Sequence, residues 1–410
     1  MCNKINNLNE IELGLDRVKQ VADTLGVLAT NAFVITVGGT NGKGSTVACL
    51  DAIYREAGYR VGTFTSPMLF KRNEQITIQG TMAEDQEINE AYQQIAHHKG
   101  KIHLTPFEYQ TLAALLIFQS YQLDILLLEV GLGGRLDAVN IMDADLAIVT
   151  SIDIDHTEWL GDTREAIAYE KAGIFRAGKP AICGDPNPPS TLVESASHIN
   201  ALLYCQEKDF YYEKGEKGWS WNGRYQDLPF TELFIQNMST ALMAISLSQA
   251  QLPVSEAAIR SGLTKTKLMG RIQMVPGSVN HLYDVSHNPA SVALLAAYLK
   301  QNRISGKNHA IFSMLSDKDM LTSIQKIKDD IDEWHVAPLQ TARTSTKEAL
   351  QDIFQQADLA AFFYDTISEA CFSVERQAQP GDRVIIFGSF HTVAEAYITA
   401  KLSHETEPRA

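Results

Sequence analysis

A glycine-rich run at residues 38–44 carries the clearest chemical signal in the sequence. It reads Gly-Gly-Thr-Asn-Gly-Lys-Gly and lies between a β-branched apolar stretch and a helical pattern that starts at Ser45. Glycines allow a tight turn that points successive backbone N–H groups at phosphate oxygens, and the positive end of the helix adds to the attraction. Lys43 can reach the terminal phosphates. The run predicts a nucleoside triphosphate site rather than a plain structural turn, although Val37 and Gly44 interrupt the general G-x-x-x-x-G-K-[ST] pattern.

Glu129 is a candidate ligand for a divalent cation. It closes the apolar stretch that starts at Ile125, which places a carboxylate at the end of a buried strand, where open α/β folds bind ligands. With the hydroxyls of Ser45 and Ser66 and the oxygens of a triphosphate, it would supply the hard oxygen ligands that Mg²⁺ prefers. The alternative is a glutamate that caps a helix or forms an ion pair.

His156 and Lys171 are ambiguous when judged by residue type alone. His156 follows Asp153 and Asp155 just beyond an apolar stretch, but a single histidine is commonly structural and imidazole is not a typical Mg²⁺ ligand. Lys171 lies in a pattern typical of a helix end, where a cation is favourable without any further role. Residue types leave both interpretations open for His156 and favour a simple helix-end cation for Lys171.

Apolar strands that alternate with helices must position these residues. Because the strands are continuously apolar, they indicate a parallel sheet covered on both faces. The predicted helices include 45–57, 107–121, 238–250 and 255–263. The predicted strands of this first part are Phe33–Val37, Val61–Phe64, Ile125–Val130 and Leu146–Thr150.

The pattern changes near residue 208 and restarts near residue 270. Residues 208–231, rich in Trp, Tyr, Gly and Asn, indicate short antiparallel strands at the margin of the first domain. We therefore expect an α/β chain with two domains: an ATP-binding domain at 1–269 and a smaller, Rossmann-like domain at 270–410. The later strands are predicted at His281–Val285, His309–Ser313, Trp334–Pro338 and Arg383–Phe387, with helices at 290–299 and 347–355.

Composition excludes several classes of protein. The chain has 410 residues, five scattered cysteines and a net charge of −14 from 35 basic and 49 acidic side chains. Binding to duplex nucleic acid is disfavoured because it needs a basic face. Single cysteines favour reduced thiols in a cytoplasm, and no apolar run approaches the ~18 residues that span a bilayer. We expect a cytoplasmic monomer with neither nucleic acid nor membrane as a partner.

Motifs along nearly the whole chain resemble those of a known family. The run GTNGKGS at 39–45 is similar to the variant phosphate loop of the ATP-dependent Mur ligase superfamily. The other motifs resemble those of folylpolyglutamate synthases and dihydrofolate synthases, and together they are far more specific than one glycine loop. They are TFTSP at 63–67, LLEVGLGGRLD at 127–137, DIDH at 153–156, EKAGIF at 170–175, DVSHNP at 284–289 and GSFHT at 388–392.

The resemblance implies roles for individual residues around ATP and its metal ions. It makes Lys43, His156, Lys171 and Arg271 catalytic, with Lys171 carbamylated and His156 completing a second Mg²⁺ site. The metal ligands would be Ser45, Ser66, Glu129 and His156, with a monovalent cation as an open question. The implied ATP contacts are Thr40, Asn41, Gly42, Lys43, Gly44, Ser45, Asn237, Arg271, Asp284 and His287, and the implied glutamate contacts are Ser389 and His391.

The resemblance also implies a site for a pterin. An aromatic ring for stacking beside carboxylates that accept ring N–H groups is a suitable pocket for it. An N-terminal segment, Ile11–Leu15, matches the family as well. The implied pterin residues are Glu12, Thr105, Phe107, Glu108, Arg135, Leu136 and Asp137.

The expected activity is an ATP-dependent amide ligase. ATP would phosphorylate a carboxylate, and the amino group of L-glutamate would attack the acyl phosphate, with dihydropteroate and tetrahydrofolate polyglutamates as acceptors. Alternatives are an enzyme that only elongates folates and a cell-wall ligase, which would need a uridine-binding domain where only residues 1–32 precede the phosphate loop. A P-loop switch or transporter subunit is disfavoured by the interrupted Lys43-Gly44-Ser45 order.

Overall fold

The computed structural model describes residues 10–406, with side chains described as far as Leu402. It divides into two compact units, Met1–Lys267 and Leu268–Ala410. The change of unit lies two residues before the boundary that the sequence pattern predicts.

An eight-stranded sheet forms the centre of the first unit. Its strands are β1 (Phe33–Gly38), β2 (Val61–Phe64), β3 (Ile76–Ile78), β4 (Thr81–Met82), β5 (Ile125–Glu129), β6 (Leu146–Val149), β7 (Pro180–Cys183) and β8 (Leu202–Cys205). They lie in the order β4-β3-β2-β5-β1-β6-β7-β8. Pairing is parallel from β2 to β8, whereas β3 and β4 form an antiparallel edge. Every residue of β2, β5 and β6 is buried, as expected for a parallel sheet covered on both faces.

Nine helices belong to the described part of the first unit. Helix α4 starts at a capping box, in which Thr105 and Glu108 satisfy each other's backbone N–H groups and a proline takes the first position. Helix α2 packs against α8 and α9, and α6 packs against α7. The helices are α1 (Asp16–Leu25), α2 (Lys43–Glu56), α3 (Asp85–His98), α4 (Pro106–Gln119), α5 (Thr157–Leu160), α6 (Arg164–Ala172), α7 (Ser190–His198), α8 (Ile235–Ser248) and α9 (Glu256–Lys265).

A separate three-stranded antiparallel sheet fills the region between 208 and 231, as the sequence predicts. It consists of β9 (Tyr212–Lys214), β10 (Trp219–Trp221) and β11 (Tyr225–Leu228). Both tryptophans of β10 are buried, and the indole N–H of Trp221 donates to Ser239 Oγ of α8 at 3.2 Å. The small sheet is therefore anchored to the main body of the unit.

The second unit is a six-stranded α/β sheet in the order β12-β13-β17-β14-β15-β16. Among the strands that the structure describes in this unit, only β12 pairs antiparallel. The strands are β12 (Gln273–Val275), β13 (Asn280–Tyr283), β14 (Asn308–Phe312), β15 (Glu333–Val336), β16 (Phe362–Phe363) and β17 (Arg383–Phe387). The helices are α10 (Pro289–Gln301), α11 (Met320–Ile327), α12 (Lys347–Gln356), α13 (Ile367–Gln377) and α14 (Phe390–Thr406).

The predicted fold class is confirmed in both units: a mainly parallel sheet with an antiparallel margin, followed by a smaller α/β unit. Among the helices of residues 10–406, none has the length and apolar character required to cross a bilayer.

Candidate functional site

The glycine-rich loop joins β1 to α2 at the carboxyl end of the parallel strands. Gly39 and Gly42 have φ angles of +140° and +88°, which L side chains rarely adopt. A Cβ at position 39 would lie 1.9 Å from Thr150 Oγ1, and one at position 42 would lie 2.3 Å from Asn237 Oδ1. Both positions therefore require glycine. The same distances show that Asn237, which is predicted to contact the nucleotide, lies directly against the loop.

Hydrogen bonds tie this loop to the segment that follows β6. The backbone N–H of Thr40 donates to Ser151 O at 2.7 Å, and that of Asn41 donates to Ser151 Oγ at 3.0 Å. The Thr40 hydroxyl donates to Asp153 O at 3.1 Å and accepts from Asp153 N at 3.0 Å. The loop and the Asp-His segment at 153–156 therefore form one hydrogen-bonded structure.

Lys43 lies across the mouth of the loop. Its ammonium donates to Gly39 O at 3.0 Å and to Thr40 O at 3.2 Å. Its charge also acts on two buried groups: it opposes the rise in the pKa of Asp137 and adds to the fall in the pKa of Lys171. The Lys43 ammonium thus lies near a residue predicted to bind the pterin and near the lysine predicted to be carbamylated.

Two of the predicted Mg²⁺ ligands, Glu129 and Ser66, lie at or just beyond the ends of the paired strands β5 and β2. Glu129 ends β5, pairs in register with Val37 of β1 and is buried, and its Oε2 accepts from the backbone N–H of Ser66 at 3.2 Å. Ser45 is buried in the first turn of α2. A buried carboxylate beside two hydroxyl-bearing residues at a phosphate loop is a donor set that fits Mg²⁺.

His156 begins the short helix α5 with a left-handed backbone, φ +52°. Its backbone N–H donates to Asp155 Oδ1 at 2.8 Å. His156 lies three residues after Asp153, which is hydrogen-bonded to Thr40 of the phosphate loop. Its role as a ligand of a second metal ion stays a prediction.

Lys171 is the penultimate residue of α6 and is only 3% exposed. Burial, together with the Lys43 charge, lowers its pKa from 10.5 to about 7, although Asp155 and Asp137 oppose the shift. Close to neutral pH, much of this amine is therefore uncharged. Residue types favoured an ordinary cation at a helix end. That interpretation does not explain why the Lys171 amine is buried.

Three of the predicted pterin residues lie at the start of α4 and beside the N-terminal segment. Glu108 closes the capping box with Thr105, and its Oε1 accepts from Arg17 Nη2 at 3.1 Å. Arg17 also forms an ion pair with Glu12. The structure thus connects Glu12 to Glu108 through Arg17, which no local sequence motif marks as a site residue.

The remaining pterin residues surround the loop after β5. Phe107 packs so closely that a Cβ on Gly131 would lie 2.6 Å from its ring. Asp137 accepts backbone N–H groups from Leu132 and Val139, each at 2.9 Å, and burial raises its pKa to about 6. The Asp137 carboxylate therefore stabilises the turn after β5 through these hydrogen bonds. The other two predicted pterin residues make separate contacts. Arg135 forms an ion pair with Glu170 at 2.9 Å, and Leu136 O accepts from Gly14 N at 3.2 Å.

In the second unit, the predicted residues gather around Phe390. The guanidinium of Arg271 lies 5.0 Å from the centre of that ring, and the ring of His287 lies 6.0 Å from it. Asp284 accepts from Ile272 N and Ser286 N at 2.9 Å each, and burial raises its pKa while Arg271 opposes the shift. The two predicted glutamate contacts lie beside them: Ser389 is buried, and its Oγ accepts from the backbone N–H of His391 at 3.1 Å.

Comparisons with known proteins agree with this arrangement. Residues 37–209 match the Mur ligase middle domain, and residues 270–390 match the Mur ligase, glutamate ligase domain. Over 387 residues, the chain is 42% identical to the dihydrofolate synthase/folylpolyglutamate synthase of Escherichia coli K12, covering 94% of this chain and 90% of that protein.

Two solved structures are similar over almost the whole chain. The structure of E. coli FolC in complex with DHPP and ADP has a TM-score of 0.93 and 40% identity, and covers 98% of this chain and 97% of that one. A bifunctional folylpolyglutamate synthase/dihydrofolate synthase with Mn, AMPPNP and L-glutamate bound has a TM-score of 0.90 and 40% identity, with coverage of 97% and 96%.

Fold, phosphate loop and sequence matches together define an ATP-dependent ligase of the Mur type. Within that class, the chain belongs to the dihydrofolate synthase/folylpolyglutamate synthase family.

Proposed function

We propose that this chain joins L-glutamate to dihydropteroate and also elongates folates that already carry glutamate, using ATP for both reactions. The observation that carries the proposal is the phosphate loop with Lys43 across its mouth, beside the buried carboxylate of Glu129. Family membership at 42% identity supports the choice of acceptors.

The chain's own residues would act mainly by positioning and by neutralising charge. The backbone N–H groups of residues 42–45 and the Lys43 ammonium would hold the triphosphate. An acceptor carboxylate would attack the γ-phosphorus, ADP would leave, and the glutamate amine would then displace phosphate from the acyl phosphate. Neither step needs a protein nucleophile, and charge stabilisation is the term that dominates phosphoryl transfer.

Mg²⁺ would be held by Ser45, Ser66 and Glu129 and would neutralise phosphate charge. We propose a second ion at His156, oriented by a carbamate on Lys171. The neutral fraction of Lys171 supports this part of the proposal, because only an uncharged amine can add carbon dioxide and lose a proton to give the carbamate. Assays in which potassium replaces sodium test whether a monovalent cation also binds.

The pterin would stack on Phe107, near the carboxylates of Glu12, Glu108 and Asp137. Both acceptors present a carboxylate to the same phosphate, so the longer folate must shift outward by roughly one residue, ~3.5 Å or more. We propose that the chain works as a cytoplasmic monomer.

Phosphate release from ATP tests the proposal directly. Dihydropteroate and tetrahydrofolate are each supplied with and without L-glutamate, and we expect full release with either acceptor only when glutamate is present. Release with tetrahydrofolate but not with dihydropteroate would reduce the function to elongation. Release with neither acceptor would overturn the assignment of a folate substrate.

A further inference from the structure

A second group of ionisable side chains lies in the sheet of the second unit, away from the residues described above. His309 lies on β14, and Glu333 and His335 lie on the neighbouring β15. His309 pairs in register with Glu333, and His335 is two residues further along β15, so all three share one face of the sheet. His309 and Glu333 lie near the amino ends of their strands, whereas Asp284 and Ser389 follow the carboxyl ends of β13 and β17.

The donor atoms of these three residues converge. One ligand atom from each residue lies within 4.8 Å of the other two. Glu333 Oε2 is 3.2 Å from His309 Nδ1 and 4.0 Å from His335 Nε2. Both nitrogens are buried and have no hydrogen-bond partner among the residues that the structure describes, and the two histidines are only 2% and 0% exposed. Two buried, unsatisfied ring nitrogens beside a carboxylate are costly unless a ligand pairs with them.

Hydrogen bonds on the far side of each ring fix which nitrogen carries the proton. His309 Nε2 lies 3.2 Å from Asp382 Oδ2, a carboxylate that can only accept, so the proton belongs on Nε2. His335 Nδ1 lies 3.0 Å from the hydroxyl of Tyr364, which donates its own proton to Ser373 Oγ at 2.8 Å. The proton of His335 therefore belongs on Nδ1. In the neutral form of each ring, the nitrogen that faces the cluster therefore carries the lone pair, and for His309 this is the nitrogen 3.2 Å from Glu333 Oε2.

The outer partners of the cluster are themselves held in place. Lys307 Nζ donates to Glu333 Oε1 at 2.6 Å and leaves Oε2 for the cluster. Asp382 accepts backbone N–H groups from Lys307 and Gln379, each at 2.7 Å. A carboxylate or hydroxyl that fixes the ring of a histidine is the usual support of a metal-binding imidazole.

We propose that His309, Glu333 and His335 bind a divalent transition-metal ion of the Zn²⁺ type. Two imidazole nitrogens and one carboxylate oxygen suit Zn²⁺, whereas Mg²⁺ prefers oxygen ligands alone. Donor atoms around a tetrahedral ion with ligand bonds of ~2.0 to 2.2 Å lie about 3.4 Å apart. The pair of Glu333 and His309, at 3.2 Å, is close to this spacing, whereas Glu333 and His335, at 4.0 Å, must approach each other on binding. The ion joins β14 to β15 and stabilises the second unit, because it binds the folded chain in preference to the unfolded one.

Cobalt(II) serves as a visible probe of this site. Full-length protein is stripped with a chelator and titrated with Co²⁺ in the presence of excess Mg²⁺ and ADP, which occupy the ATP site. We expect a strong visible absorption band that saturates at one equivalent, disappears on addition of Zn²⁺, and is accompanied by a higher unfolding temperature. If wild-type protein shows neither the band nor the thermal shift, the proposal is wrong.

Variants separate metal binding from a merely structural role of the histidines. His335→Ala should abolish the band, whereas His281→Ala, a histidine of β13 outside the cluster, should leave it unchanged. Tyr364→Phe keeps every ligand and removes only the hydroxyl that orients His335, so Co²⁺ affinity should fall by ~10- to 100-fold. Should His335→Ala fail to fold, Tyr364→Phe still decides the matter, because unchanged Co²⁺ affinity in that variant would contradict the assigned geometry.

Discussion

Carbamylation of Lys171 is the prediction that the structure sharpens most. The side chain is enclosed at the end of α6 and lies within the electrostatic influence of Lys43, Asp155 and Asp137. A carbamate would replace a cation with an anion, turning this group into one that can bind or orient Mg²⁺. Removing the amine should therefore remove a carboxylate function rather than a positive charge.

The pKa gives the size of the effect. An ordinary lysine at pH 7 is neutral in only about one molecule in 3,000. With a pKa of about 7, Lys171 is neutral in about half of the molecules, an increase of roughly 1,500-fold in the form that reacts with carbon dioxide. Since the folded pKa is depressed from 10.5, protonation below pH 7 should prevent carbamylation, and the reactive form should accumulate as the pH rises through 7.

The assay uses enzyme stripped of carbon dioxide at low pH and then returned to a range of pH values with ¹³C-labelled bicarbonate. We expect a carbamate carbon signal and recovery of ligase activity together, with a midpoint near pH 7. Lys171→Ala should lose both, and a short carboxylic acid should partly restore its activity whereas bicarbonate should not. Lys179→Ala, at an exposed lysine paired with Asp145, is the matched control and should behave as wild type.

One result would refute this reasoning. Arginine keeps the positive charge and cannot form the carbamate, so Lys171→Arg distinguishes the two roles. Nearly full activity in that variant would show that a cation suffices at this position.

Other variants test the remaining site residues. Lys43→Ala loses a charge-assisted contact of ~1.5 to 3 kcal/mol, so steady-state kinetics should show at least a roughly tenfold loss in kcat/KM for ATP. Gly131→Ala places a Cβ 2.6 Å from the Phe107 ring, and we expect a raised KM for dihydropteroate with unchanged ADP affinity by calorimetry. Asp137→Asn leaves one of two backbone donors without an acceptor, which should cost ~1 to 3 kcal/mol and lower the thermal unfolding temperature. Wild-type stability would mean that the turn does not depend on the carboxylate.

Fully buried strands in the interior of the two sheets were among the most predictable elements. The strands at Val61–Phe64 and Arg383–Phe387 have the same limits in the prediction and in the structure. The edge strands β3 and β4 were missed, since they are two or three residues long and largely exposed or half-buried, which leaves almost no hydrophobic pattern to detect.

Contacts between distant parts of the chain were harder to predict for a physical reason. The pKa of Lys171 depends in part on charges contributed by distant segments, whereas its local sequence pattern is only that of a helix end. The backbone bonds of Asp137 depend on how the turn after β5 closes. The bridge from Arg17 to Glu108 spans 91 residues and has no local signature.

The paired hydrogen bonds between Thr40 and Asp153 have a consequence for hydrogen exchange. The amide of Asp153 is bonded to the Thr40 hydroxyl, and the amides of Thr40 and Asn41 are bonded to Ser151. Each of these three amides exchanges only when its hydrogen bond breaks, and each of those bonds joins residues 40–41 to residues 151–153. They should therefore exchange as one cooperative unit, although 113 positions separate Thr40 from Asp153 in the chain. A ligand that orders the phosphate loop will also slow exchange at the start of the Asp-His segment.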